Sequence, residues 1–224
     1  MALSHGPSTT LNGLVLSVDA SNVKSYPGTG STWFDLSPSQ TTFSLNNGPA
    51  YTAGTPGYIS FDGTDDYAQT ASAVLPAANS SPITLEAVCL TTTTAPGYQT
   101  VLGTAGSFSQ IGFSTSNFAG GRNGGGGNTL YSSIVSISAN RWYHMCMTYD
   151  GTNGRFYLDG ALIYIGSIGI NGTSNGVSLL STYSSGAASE RLTGRIAIAR
   201  AYNITLTTAQ VYQNFQALRG RFGI

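Results

Sequence analysis

The chain has 224 residues, of which 41% are hydrophobic and only 8% charged, with 9 basic and 9 acidic side chains in balance. That length suits one all-β domain with a core large enough to stand without metals or disulfides, and the hydrophobic content excludes a disordered chain. Lys24 is the single lysine, so the clustered cations that neutralise phosphates are missing and nucleic acid is excluded as a partner. No apolar run approaches the roughly 20 residues of a membrane helix, so no membrane partner is expected either.

Met1-Ala-Leu-Ser-His5 lacks the positive and continuous apolar regions of a secretory leader. Residues 1–11 are expected as an N-terminal arm. Leu14, Leu16 and Val18 alternate along Leu14–Val18 and predict a half-buried strand with those three on one face. Tyr26-Pro-Gly-Thr-Gly30 is turn chemistry. Strands are predicted at Tyr58–Phe61, ending in Asp62-Gly63, and at Ile83–Leu90, Thr100–Gly103 and Gln110–Phe113. Gly120–Asn128, with six glycines, is predicted to be a long loop. No Gly-Lys-Ser/Thr follows it, so it is not a phosphate-cradling loop of the P-loop type.

The clearest stretch runs from Arg141 to Gly166. Trp142–Tyr149 reads as a strand apolar on both faces, Asp150–Gly154 as a turn, Arg155–Leu158 as the return strand. Asp159-Gly160 then forms a two-residue type I′ turn into Ala161–Ile165, because that turn needs positive φ at both central positions. Gly194–Tyr202 is a late strand, predicted to hold Ile196 and Ile198 on one face. A short helix begins near Thr207, where Thr207 and Gln210 match a capping box; Val211, Phe215 and Leu218 follow at helical spacing and Gly220 is the expected stop. Cys89 and Cys146 both fall inside apolar strands and read as two buried thiols.

Taken in order, these blocks resemble the concanavalin A-like/laminin-G-like domains. The resemblance rests on Asn12–Ala20, Thr32–Ser37 leading to Asn47-Gly-Pro, Ile59–Tyr67, Trp142–His144 with Thr148–Thr152, Tyr157–Gly160 and Gly194–Asn203. It implies an all-β, two-sheet antiparallel jelly-roll sandwich over 12–218, with a short C-terminal helix and a tail at 219–224. Ser37-Pro-Ser-Gln40 departs from the Ser-Gly-Asn-Gly-type turn of the pattern. Residues 213–224 resemble the tails of versions of this domain in virion proteins of tailed bacteriophages.

The resemblance also directs attention to calcium and to sugars. Asp62, Asp65 and Asp66 lie in one turn and offer the oxygen donors that hard cations take; they are the candidate calcium ligands, with Asp19, Asn22 and Glu190 as further donors. Tyr98, Tyr131 and Tyr183 sit in polar surroundings and are the candidate sugar-stacking residues. Glycosidases of this superfamily need two carboxylates flanking the scissile bond, whereas Glu86 stands alone in its strand. His144 alternates with Cys146 on one strand face, with no third group in the sequence to orient it. No catalytic residue is assigned, and the chain is expected not to be an enzyme. The expectation is a phage virion surface protein, head decoration or fibre-type, homo-oligomeric and bound to capsid or fibre subunits, with host or environmental glycans as further partners. The alternatives are a free-standing lectin and, more weakly, a polysaccharide hydrolase.

Overall fold

The computed structural model describes residues 7–76, 81–93, 97–105, 109–114, 118–122, 129–167, 177–181 and 190–224. The chain enters through β1 (Leu14–Asp19), β2 (Thr32–Phe34), β3 (Thr42–Asn46), β4 (Ala50–Thr52), β5 (Tyr58–Asp62) and β6 (Tyr67–Ala73). It continues through β7 (Ile83–Thr91), β8 (Gln99–Thr104), β9 (Gln110–Ser114), β10 (Phe118–Arg122) and β11 (Thr129–Ser136). The last third holds β12 (Tyr143–Tyr149), β13 (Asn153–Leu158), β14 (Ala161–Ser167), β15 (Val177–Leu180), β16 (Thr193–Tyr202) and the helix α1 (Thr208–Phe222).

These strands form two antiparallel sheets. The first runs β14-β13-β12-β7-β16-β5-β4, and the second runs β11-β10-β9-β8-β15-β6-β3-β2. Strand β16 is long enough to serve two partners on one side: β5 pairs with its residues 193–196 and β1 with 198–202. The all-β sandwich with a C-terminal helix is the architecture that the sequence predicts.

The core lies between the sheets. Leu16, Val18, Ile59, Leu85, Met145, Met147 and Ile196 of the first sheet meet Trp33, Phe43, Leu102, Ile111 and Phe113 of the second. The outer face of the first sheet is covered as well. There α1 lays Val211, Phe215, Leu218 and Phe222 against it, over Val88, Ile198, Cys146 and Tyr202. Burying four such side chains contributes about 1.5–3 kcal/mol each. This second layer explains why β7 and β12 are buried at every position, as a strand apolar on both faces requires.

The Asp159-Gly160 turn forms as expected, with φ of 49° and 77°. Gly160 is required twice over, since a Cβ there would lie 2.6 Å from the Phe215 ring. The capping box of Thr207 and Gln210 is present.

Four readings are corrected. Leu14 does not share a face with Leu16 and Val18: the register of β1 against β16 shifts between Leu14 and Leu16, turning Leu14 outward beside Tyr202. A second shift between Ile196 and Ile198 sends Ile196 into the inter-sheet core and Ile198 beneath the helix. Both are β-bulges, which break the period-2 rule by one residue. Gly120 and Gly121 lie in β10, paired on both sides, and not in a loop; the rest of the predicted loop, 123–128, is outside the described residues. Finally, α1 runs through Gly220 and stops at Gly223, whose φ of 68° forms the left-handed cap. Residues 219–222 are therefore helical, with Phe222 buried against Trp142 and Arg221 paired to Asp19 at 2.7 Å.

Candidate functional site

At the Asp62 end of β5 the chain crosses to the second sheet through one tight turn. Gly63 takes a φ of 79°, and a Cβ there would collide with Thr193 Oγ1. The turn closes on its own carboxylates. Asp62 Oδ1 accepts the backbone N–H of Thr64 at 2.7 Å and of Asp65 at 3.4 Å, and Asp66 Oδ2 accepts that of Asp62 at 3.0 Å. As a result one oxygen from each of Asp62, Asp65 and Asp66 lies within 4.8 Å of the others. Asn47 Nδ2 donates to the Asp65 carbonyl at 2.8 Å and holds the turn from the β3–β4 connection.

The two inner carboxyls of this turn are tuned in opposite directions. The Thr64 N–H holds Asp62 below its ordinary value, with the Asp65 and Asp66 amides helping. Burial pushes Asp66 up, and the Asp62 and Asp65 carboxylates add to the rise, against the amide of Asp62 and the charge of Arg191. Arg191 is the local counter-charge; its Nη1 donates to the Asp66 carbonyl at 3.4 Å and its guanidinium lies 4.9 Å from the centre of the Tyr67 ring. Three carboxylates against one guanidinium, all presenting oxygen, fit a hard divalent cation of the calcium type.

The other expected calcium donors are not gathered here. Asp19 is engaged by the amide of Ser21 and by Arg221, and Asn22 caps the amide of Lys24. The Glu190 carboxylate accepts from Thr100 Oγ1 and Gln110 Nε2, each at 3.2 Å.

Tyr98 belongs to the same end of the sandwich. Its neighbour Gln99 accepts the Thr193 amide at 3.0 Å through Oε1, and Thr193 is the β-partner of Asp62. The Tyr98 ring is half-buried and lies across a cross-strand pair of glycines. Its hydroxyl donates to the Gly120 carbonyl at 3.3 Å, and a Cβ on Gly112 would stand 3.1 Å from the ring edge. Tyr131 lies in β11, where its backbone opposes Gly120; its side chain and the whole of Tyr183 lie outside the described residues.

A second polar constellation, missed in the sequence, sits under α1. Glu86 of β7, His144 of β12, Tyr202 of β16 and Asn214 of α1 are all fully buried. Glu86 Oε1 lies 2.8 Å from His144 Nε2 and 3.6 Å from Arg200 Nη1, and Glu86 Oε2 accepts from Tyr202 Oη at 3.1 Å and Asn214 Nδ2 at 3.0 Å. His144 therefore does have an orienting partner, delivered by the neighbouring strand. Burial raises the Glu86 carboxyl, but Arg200, His144 and Tyr202 outweigh it and bring the pKa down to about 2. Cys146 shares the cluster, yet burial pushes its thiol well up and the Glu86 charge adds to that, so no thiolate nucleophile forms there. The cluster anchors the helix.

Residues 62–212 match the sequence profile described as the concanavalin A-like lectin/glucanases superfamily. The chain belongs to that superfamily. No curated protein matches the sequence. Among solved structures, the chain is similar to Trypanosoma rangeli sialidase in complex with sialic acid, with a TM-score of 0.72 at 16% identity over 97% of this chain and 36% of that one. It is also similar to the binding domain of Paraclostridial Mosquitocidal Protein 1 (TM-score 0.68, 14% identity, 91% of this chain and 52% of that one). A third is the binding domain of botulinum neurotoxin serotype G (TM-score 0.67, 12% identity, 91% and 51%). The chain thus spans about a third of the sialidase structure and about half of each toxin binding domain, and the likeness at such identity establishes the concanavalin A-like fold.

The expectation that the chain is not an enzyme is corrected by these neighbours, since the fold occurs within sialidases. That expectation rested on carboxylate spacing along one strand. The Glu86 cluster and the acidic turn both show that this fold gathers its charged groups across strands and connections, which spacing along one strand does not record.

Proposed function

We propose that this superfamily member is a glycan-binding module whose recognition end is the acidic turn together with the Tyr98 side of the sandwich, held by a calcium ion at Asp62, Asp65 and Asp66. The observation that carries the reading is the juxtaposition of three carboxylates within 4.8 Å and a half-buried tyrosine at one end of the fold, tied through Gln99 and Thr193. A sugar ring would stack on Tyr98, and its hydroxyls would meet the Thr, Gln and Asn groups of the same connections. Membership of the lectin/glucanases superfamily and the toxin binding domains among the neighbours support it. A glycan array run with and without a calcium chelator tests the reading. Binding to a defined glycan that is lost on chelation and in Asp62→Asn/Asp65→Asn is expected; an array that stays blank with calcium present overturns it.

The setting proposed for this module is a virion surface, attached to capsid or fibre subunits as a homo-oligomer, where many copies turn weak glycan contacts into strong attachment. The resemblance of residues 213–224 to virion-protein tails supports it. The edge strand β14, with Leu162, Tyr164 and Ile165 exposed, supports self-association. Immunogold labelling of intact particles by an antibody to this domain is the expected outcome; unlabelled particles would leave a free-standing lectin.

A further inference from the structure

Strand β7 links two ends of the fold. Thr91 pairs with Gly194, next to Thr193 and the acidic turn, while Ile83 pairs with Tyr149 at the other end. At about 3.3 Å per residue, those ends stand roughly 25 Å apart. The far end carries a cleft of ≈ 310 Å³ that the proposed recognition end does not use. Asp150 and Arg155 form one wall, Thr205, Thr207 and Thr208 the other, and Leu206 and Tyr157 line it between them.

Each wall is fixed before any ligand arrives. Asp150 Oδ1 accepts the amides of Asn153 at 2.7 Å and Thr152 at 3.0 Å, and Oδ2 accepts from Arg155 Nη1 at 2.9 Å. The Asn153 amide and the Arg155 guanidinium hold this carboxyl below its ordinary value, so it is ionised at neutral pH. Opposite, the Thr205 hydroxyl donates to the Tyr149 carbonyl at 2.6 Å, and the Tyr157 and Thr208 hydroxyls pair at 3.0 Å. The Leu206 amide is tied to Thr84 Oγ1 at 3.0 Å, which places Leu206 as an apolar lining held from the sheet.

From this geometry we infer a second carbohydrate subsite, one pyranose ring in size, at the Asp150–Arg155/Thr205–Thr208 cleft. The chemistry matches a sugar ring on each side. A carboxylate paired to a guanidinium offers an acceptor and donors at neighbouring points, the arrangement that vicinal hydroxyls bridge. Threonine hydroxyls both donate and accept, so Thr205, Thr207 and Thr208 can meet ring hydroxyls from the other side, while Leu206 and Tyr157, both buried, form the floor beneath them. The volume falls at the small end of ligand pockets, and the prior fixing of the walls removes much of the ordering cost. Among the described lining residues Asp150 is the one carboxylate, so sugar binding here is expected to be insensitive to a calcium chelator. With sites at both ends, one module could bridge two glycan chains.

This inference rests on the glycan reading, and one experiment separates the two. The ¹⁵N-labelled full chain is titrated with glucose, galactose, mannose, N-acetylglucosamine, sialic acid and short oligosaccharides of each, with calcium and then with chelator, following backbone amides. Saturable, chelator-insensitive shifts at 150–155 and 205–208 are expected for at least one sugar, weakened about tenfold or more in Arg155→Met through loss of charge-assisted hydrogen bonds. Thr208→Val, at the other wall, is the second variant, and spectral dispersion shows that each remains folded. Shifts confined to 62–67 and 98–99 would overturn the cleft and leave the recognition end standing. Shifts confined to the cleft would do the reverse, and a silent spectrum would overturn both.

Discussion

The carboxylate of Glu86 lies 2.8 Å from Nε2 of His144, and neither side chain has any exposed surface. An ionised carboxylate only accepts, so the imidazole carries its proton on Nε2 and donates. With Tyr202, Asn214 and Arg200 converging on the same carboxylate, this is the polar joint between the outer face of the first sheet and the helix that covers it.

Removing the acceptor should therefore cost more than removing an ordinary contact. Glu86→Ala leaves Arg200 without its buried counter-charge and the His144 and Tyr202 donors without their acceptor, a change worth about 3–5 kcal/mol. Glu86→Gln keeps a side-chain oxygen and should lose less. Urea unfolding followed by circular dichroism reads both, and equal midpoints for the two variants would contradict the role given to the charge.

Acid should find the same joint. The folded pKa of Glu86, about 2, lies below its ordinary value of 4.5. A depressed carboxyl contributes stability that is fully present above pH 4.5 and fades as pH falls from 4.5 towards 2, where the unfolded chain binds the proton first. The contribution is about 3 kcal/mol at neutral pH. Stability measured between pH 2 and 5 should rise more steeply in the wild type than in Glu86→Gln.

Asn214 extends this joint to the start of the chain. Its Nδ2 donates to Glu86 and to Tyr202, and its Oδ1 accepts the amide of Thr10 at 2.7 Å; Gln213 Nε2 also donates to the Ser8 carbonyl. Asn214→Ala should cost about 2–3 kcal/mol, from the buried groups left unsatisfied. It should also speed hydrogen exchange at Thr10 while leaving the β12–β13 amides protected. Unchanged exchange at Thr10 would mean that the arm is held by something other than this side chain.

What the sequence made legible follows from the range of the forces involved. The β12–β13–β14 meander, the Asp159-Gly160 turn and the Thr207–Gln210 cap are local, and each was readable from neighbouring residues. Strand β6 went unread because Tyr67–Ala73 is mostly polar or small, and β3 because Thr42–Asn46 carries only two apolar residues, Phe43 and Leu45, although they alternate cleanly. The bulges that turn Leu14 and Ile198 outward answer to the fit of β16 against two partners at once, which no single segment encodes. The same holds for the sites. Asp62, Asp65 and Asp66 were visible because one turn carries all three. Glu86 looked solitary because its partners come from two other strands and the helix.

The acidic turn offers a test that separates backbone strain from metal binding. Gly63 and Gly30 both take left-handed φ, 79° and 92°. A Cβ on Gly30 would meet no atom within 4 Å, whereas one on Gly63 would collide with Thr193 Oγ1. Gly30→Ala should cost only the backbone strain, about 1 kcal/mol. Gly63→Ala must in addition push the turn away from β16, which moves Asp62 relative to Asp65 and Asp66. Calcium that binds the folded state raises its melting temperature by mass action. That rise should persist in Gly30→Ala and shrink or vanish in Gly63→Ala. An identical calcium-induced rise in both variants would place the ion somewhere other than the Asp62–Asp66 turn.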